Sequence, residues 1–162
     1  MSRQNLMRMS LVSSVLALAV PLSATQADDI DFNGTLTNEC TLALTNAGVL
    51  AMSSDGTVLS SQEAGGVAAV MTVVSIGSNT LTVNAPTVVS APGSHNGSGE
   101  TVEVSYSGAS GLSGVSQTMT DQTTNHALGA VPLSALTIHT RITNSNSFAA
   151  GDYTIRSVVT CS

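Results

Sequence analysis

The chain contains no lysine and no tryptophan, and its 162 residues include four arginines, two cysteines, two phenylalanines and two tyrosines. The missing cations exclude two classes of partner. Binding to a phosphate backbone draws most of its strength from Lys and Arg, and an anionic lipid surface is held by the same residues. Neither nucleic acid nor a charged membrane face suits this chain. The shortage of aromatics means that any core must be built from Val, Leu, Ile, Ala and Met, and it removes the stacking platforms that sugar sites use. Disorder is excluded on other grounds: disordered chains pair low hydrophobicity with high net charge, whereas 42% of this chain is hydrophobic and 9% is charged.

What is present begins with an export signal. Arg3 and Arg8 flank a polar start, an apolar run extends from Leu11 to Val20, and Pro21 leads into the small residues Ser23, Ala24, Thr25 and Ala27. This is the order of a secretory signal peptide, and about ten apolar residues fall short of the roughly 20 that a membrane-spanning helix needs. Cleavage is expected after Ala27, leaving a secreted, periplasmic or cell-surface domain over residues 28–162 with no transmembrane segment. Arg3 and Arg8 leave with the signal. Arg141 and Arg156 then face all ten acidic residues, a net charge of −8, which favours solubility without specifying a fold.

Periodicity predicts strands almost throughout. Thr80 to Asn84 alternates polar and apolar residues; Val102, Val104 and Tyr106 alternate with Glu103 and Ser105; Leu136, Ile138 and Ile142 alternate with Thr137, His139, Arg141 and Thr143. Period two marks a half-buried strand. Val67 to Ile76 is apolar on both faces and reads as a central strand with its second face covered. Asp55-Gly56, Gly77-Ser78-Asn79, Pro92-Gly93, Asn96-Gly97, Gly108 to Gly114 and Asn144 to Asn146 supply turn residues. The longest connection, Ala91 to Gly99, is expected to be a surface loop, and Gly108 to Gly114 a flexible hairpin. Together these features predict an all-β fold, a single immunoglobulin-like β-sandwich of about seven to eight strands.

Cys40 and Cys161 are the only cysteines. Tyr153, Ile155, Ser157, Val159 and Cys161 share one strand face, and at the other end Ile30, Phe32, Gly34 and Leu36 set a phase that continues to Cys40, Leu42 and Leu44. Both cysteines therefore fall on apolar faces. In an exported protein two such thiols are expected to pair, and a disulfide needs Cα atoms within roughly 7 Å. The pairing predicts that the first and last strands are neighbours or face each other.

The run Phe32-Asn33-Gly34-Thr35-Leu36-Thr37-Asn38-Glu39-Cys40 resembles the N-terminal pattern of chaperone–usher fimbrial subunits and of spore-coat-U-like exported proteins, an alternating strand with a Gly and then a Cys opening the domain. Ala149-Ala150-Gly151-Asp152-Tyr153-Thr154-Ile155 resembles the Gly-x-Tyr approach to their last strand. The resemblance covers about twenty residues. It implies a pilin-like sandwich whose partners are other protein subunits or cell-surface components, and donor-strand exchange through Ile30, Phe32, Gly34 and Leu36. Two features depart from that family: its disulfide closes within the first third of the domain, and Tyr153 to Cys161 reads as a complete final strand of the chain's own. The expectation is a self-contained structural protein, with a polymerising subunit as the alternative.

Other motifs are weaker. Asp29-Ile30-Asp31-Phe32-Asn33-Gly34 matches the opening of a calcium loop, but the twelfth position, where Glu is required, is Cys40, so no metal and no cofactor is expected. Gly108 to Gly114 is not a nucleophile elbow. His95 falls in the long loop, His126 in a polar connection and His139 on an outward strand face; three surface histidines are expected, and no catalytic residue is assigned. Asn33 and Asn96 each open an N-glycosylation sequon. A carbohydrate- or protein-binding module using Ala91 to Gly99 and Gly108 to Gly114 is the remaining alternative.

Overall fold

The computed structural model describes residues 34–162. The signal peptide, its cleavage site, Asp29 to Asn33 of the calcium-like run and the Asn33 sequon lie outside the described residues. From Thr35 to Ser162 the chain forms one compact unit. Twelve strands follow in chain order: β1 Glu39–Asn46, β2 Ala51–Met52, β3 Val58–Ser60, β4 Ala69–Ile76, β5 Asn79–Val83, β6 Thr87–Ser90, β7 Thr101–Gly108, β8 Ser116–Thr120, β9 Thr124–Leu128, β10 Val131–Thr143, β11 Thr154–Arg156 and β12 Val159–Cys161. The sandwich-like all-β architecture is as expected. The strand number is higher, because five of the twelve are pieces of two to four residues that pair briefly and then turn away.

Every pairing is antiparallel. β10 is the spine of the large sheet. It pairs β4 along Val131 to Ile138 and β3 along Arg141 to Thr143 on one side, and β7 on the other. β1 extends the sheet beyond β4, β2 beyond β3, and β8 beyond β7. Pro132, which has no N–H to give a ladder, falls where the β10–β4 register slips between Val131 and Ser134. A second layer is made by β12-β5-β9, with the pair β11-β6 as a separate ribbon.

The inward phase of each strand is the one its alternation dictates. Val73 and Ser75 of β4, Val104 and Tyr106 of β7, and Leu136, Ile138 and Ile142 of β10 are buried, as are Leu81 and Val83 of β5. Among the described residues, side chains from both layers meet in one aliphatic core, with Tyr106 as its one aromatic. The expected closing strand keeps its phase, Tyr153, Ile155, Ser157, Val159 and Cys161 being more covered than the residues between them. It is not one strand, however. β11 pairs β6 and β12 pairs β5, and between them Ser157 donates its hydroxyl to the Asn84 carbonyl (2.8 Å). At the other end, strand geometry begins at Glu39; residues 34–38 are not in a strand, and Leu36 is exposed. Among the described residues no helix is long and apolar enough to cross a membrane.

Candidate functional site

Cys40 and Cys161 form the disulfide, with Cα atoms 5.9 Å apart. Because Cys40 is in β1 of the large sheet and Cys161 in β12 of the second layer, the bridge crosses the sandwich and closes 121 residues of chain. First and last strands face each other rather than share a ladder. Among the described residues β1 pairs only β4 and β12 pairs only β5, so that each has a second edge beside the bridge with no partner strand.

Beyond the bridge, between the large sheet and the segment that runs through β11 to the start of β12, lies a groove of about 700 Å³. Its floor is the inner face of the large sheet, with Leu44 of β1, Ala69 and Met71 of β4, Ile138 of β10 and Leu59 of β3. Its far wall is the segment from Gly151 through β11 to Val159, contributing Tyr153 and Ile155, with Asp152 and Arg156 also against the groove. Leu44, Met71 and Leu136 occupy one cross-strand row. Along that row cover falls away steadily: Leu136 is 0% exposed, Met71 is half-buried, and Leu44 is 62% exposed. Val49, Met52 and Val67, from the same end of the large sheet, are also exposed. The inner face is thus finished at β10 and unfinished at β1. The groove was not foreseen from the sequence, because Leu44 has the same inward phase as Cys40 and Leu42 and nothing local marks it as uncovered.

The far wall is tied down by the loop that was expected to lie free on the surface. Asn144, 0% exposed, donates from Nδ2 to the Asn96 carbonyl (2.7 Å), while its Oδ1 accepts the Asn146 N–H (2.8 Å). Asn146 donates to the Ser98 carbonyl (3.1 Å). His95 is a correction to the expectation of three surface histidines, since its side chain is only 7% exposed. Its Nε2 lies 2.8 Å from Glu100 Oε2 and its Nδ1 3.2 Å from the Tyr153 hydroxyl, which donates to the Ala149 carbonyl (2.9 Å). The ring stacks on Phe148, with centroids 5.8 Å apart and planes 7° from parallel, and meets the Tyr153 ring edge-on at 5.1 Å. Phe148 and Tyr153 are themselves perpendicular neighbours. Two of the chain's four aromatics fall within residues 148–153, but nothing in the sequence sets that cluster beside the loop of His95.

Of the other histidines, His139 keeps the outward strand phase expected of it but is only half-exposed, and His126 is placed differently. His126 lies within β9 and not in a connection; its Nε2 is 2.6 Å from the Tyr106 hydroxyl, which also bonds the Thr124 hydroxyl. Burial pushes the Tyr106 phenol above its ordinary value of 10.0, against the Thr124 hydrogen bond. His139 is half-buried on β10, and its Nδ1 is 3.1 Å from Ser61 Oγ. That pair has the composition of a nucleophile and base, but Ser61 Oγ also accepts the Thr140 N–H (3.1 Å) and Ser61 N–H donates to the Thr140 carbonyl (3.1 Å). The arrangement prolongs the β3–β10 ladder past the end of β3. Gly108 to Gly114 is not a flexible hairpin: it contains a 3-10 turn, Ser110–Leu112, that inserts Leu112 into the core. Arg141 donates through Nε and Nη2 to Glu103 directly across β7 and β10. No group of three or more His, Cys, Asp or Glu that could hold a metal ion occurs among the described residues. Comparison with protein-family models, curated proteins and solved structures returned no match.

Proposed function

We propose that this chain is an exported structural protein of the cell surface or periplasm, a self-contained sandwich that acts through its surface and not by catalysis. The observation that carries the reading is the inter-layer bridge: Cys40 and Cys161 join the first and last strands across the sandwich. A single disulfide closing nearly all of the described domain makes the fold resistant to unfolding without help from a partner. Disulfides persist in oxidising compartments, which agrees with the export signal read from residues 1–27. Loop-based recognition of a sugar or protein has less support, because Leu112 anchors one of the two loops in the core and His95 anchors the other.

A second reading is favoured by the groove. Its apolar floor, its exposed Leu44 and the free edge of β1 suit an added extended strand, which would pair through its backbone and set alternate side chains into the floor. The alternating residues Ile30, Phe32, Gly34 and Leu36 of another copy have the required pattern, and Arg156 beside the groove complements the acidic Asp28, Asp29 and Asp31. In this reading the protein is a polymerising subunit. Electron microscopy and sedimentation of the purified protein across a concentration series separate the two: monomers throughout remove the subunit reading, and fibres or concentration-dependent oligomers overturn the self-contained one.

A further inference from the structure

We propose that His95 is a pH-sensitive latch on the far wall of the groove, fastened when its imidazole is protonated and loosened when it is neutral. Three contacts share a limited set of protons. Tyr153 has one O–H, and it is directed to the Ala149 carbonyl (2.9 Å). For its contact with His95 Nδ1 (3.2 Å) to stand together with that bond, the ring nitrogen must donate. Glu100 Oε2, as a carboxylate, accepts only, so Nε2 must donate as well (2.8 Å). Both ring nitrogens carry protons only in the imidazolium. A neutral ring satisfies Glu100 or Tyr153, but keeps both only if the Tyr153 hydroxyl abandons Ala149.

An aromatic ring also packs on the imidazole. Phe148 presents its ring face parallel to the imidazole, an arrangement that attracts positive charge. Among the described residues the titratable groups bonded to His95 are Glu100, just before β7, and Tyr153, just before β11; Asp152 and Arg156 make no salt bridge with it. Histidine is the side chain whose ordinary charge change falls between about pH 5 and 8, which sets the two pH values of the test. What it holds is specific. Phe148 and Tyr153 bracket Gly151, which packs on Pro92 of the His95 loop, and Tyr153 leads directly into β11. Releasing His95 frees residues 148–156, the wall that faces Leu44 and Met71 across the groove.

The latch goes beyond both functional readings and does not depend on what fills the groove, so its test uses monomeric protein alone. Amide hydrogen exchange of residues 148–156 is measured at pH 5.5 and 8.0 and corrected for intrinsic exchange, with β4 as internal reference. Protection of 148–156 is expected to fall by roughly tenfold at the higher pH, the size of one lost charge-assisted hydrogen bond, while β4 is unchanged. The His95→Gln variant should lose this difference. Equal protection at the two pH values in the wild type, or the same difference persisting in His95→Gln, overturns the proposal. Should that variant fail to fold, Tyr153→Phe, which keeps the ring contacts and removes the Nδ1 acceptor, decides in the same way: a retained difference overturns the latch, and its loss supports it.

Discussion

Leu112 owes its role to the turn that delivers it. In a stretch of Gly, Ala and Ser it is the only large side chain, and the 3-10 turn places it in the core at 1% exposure. Leu112→Ala leaves a cavity that the sheets on either side cannot readily close, and is expected to cost about 2–5 kcal/mol in urea denaturation; a loss within error would show that the turn collapses to fill it. Asp55 works at the opposite extreme of exposure. Its Oδ1 accepts from the Ser53 hydroxyl (2.6 Å), the Thr57 N–H (3.1 Å) and the Thr57 hydroxyl (2.9 Å). These bonds, that of Ser53 foremost, hold its carboxyl below the ordinary 3.8. Since the folded value is depressed, the turn's stabilisation is present above the unfolded value and is lost as pH falls through the folded one. The amide signals of Gly56 and Thr57 should therefore shift toward their disordered positions below about pH 4, and should already be there at neutral pH in Asp55→Ala.

At the scale of elements, the corner between β4 and β5 shows how one residue directs a chain from one layer to the other. β4 belongs to the large sheet and β5 to the second layer, joined by Gly77-Ser78. Gly77 has φ +80°, in the left-handed region. Asn38 closes over the corner, accepting from the Ser78 N–H (3.2 Å) and donating to the Ser78 carbonyl (2.9 Å). A Cβ at Gly77 would overlap the Asn38 side chain. Gly77→Ala is expected to cost at least about 1–2 kcal/mol from backbone strain alone, read as a lower urea midpoint; an unchanged midpoint would mean that the corner relaxes without Asn38. Gly77-Ser78-Asn79 was legible as a breaker, and β4 and β5 as strands on either side of it. That the two strands do not pair was not legible, because turn chemistry sets the direction of the chain and not the partner of the strand that follows.

For the whole molecule, the disulfide decides how much of the fold survives stress. Closing 121 residues removes unfolded-state entropy worth about 5 kcal/mol in the chain-entropy model, comparable with the lower end of a domain's total stability. Reduction, or the double change Cys40→Ser and Cys161→Ser, should lower the unfolding free energy read from urea denaturation by nearly that amount. A reduced protein as stable as the oxidised one would contradict this and shift the credit for stability to the aliphatic core.

Strand phases, the inward direction of both cysteines and the aliphatic character of the core were determined by the sequence alone, since each follows from local alternation or from composition. Only the tertiary structure decided that Leu44 stands uncovered at the end of a row that Leu136 closes. It also decided that the last segment divides between β6 and β5, and that His95 is buried between Glu100, Phe148 and Tyr153. Those outcomes depend on which distant edges and loops converge. A side chain's phase says which way it points, but only the partner that arrives, or fails to arrive, says whether water is removed from it.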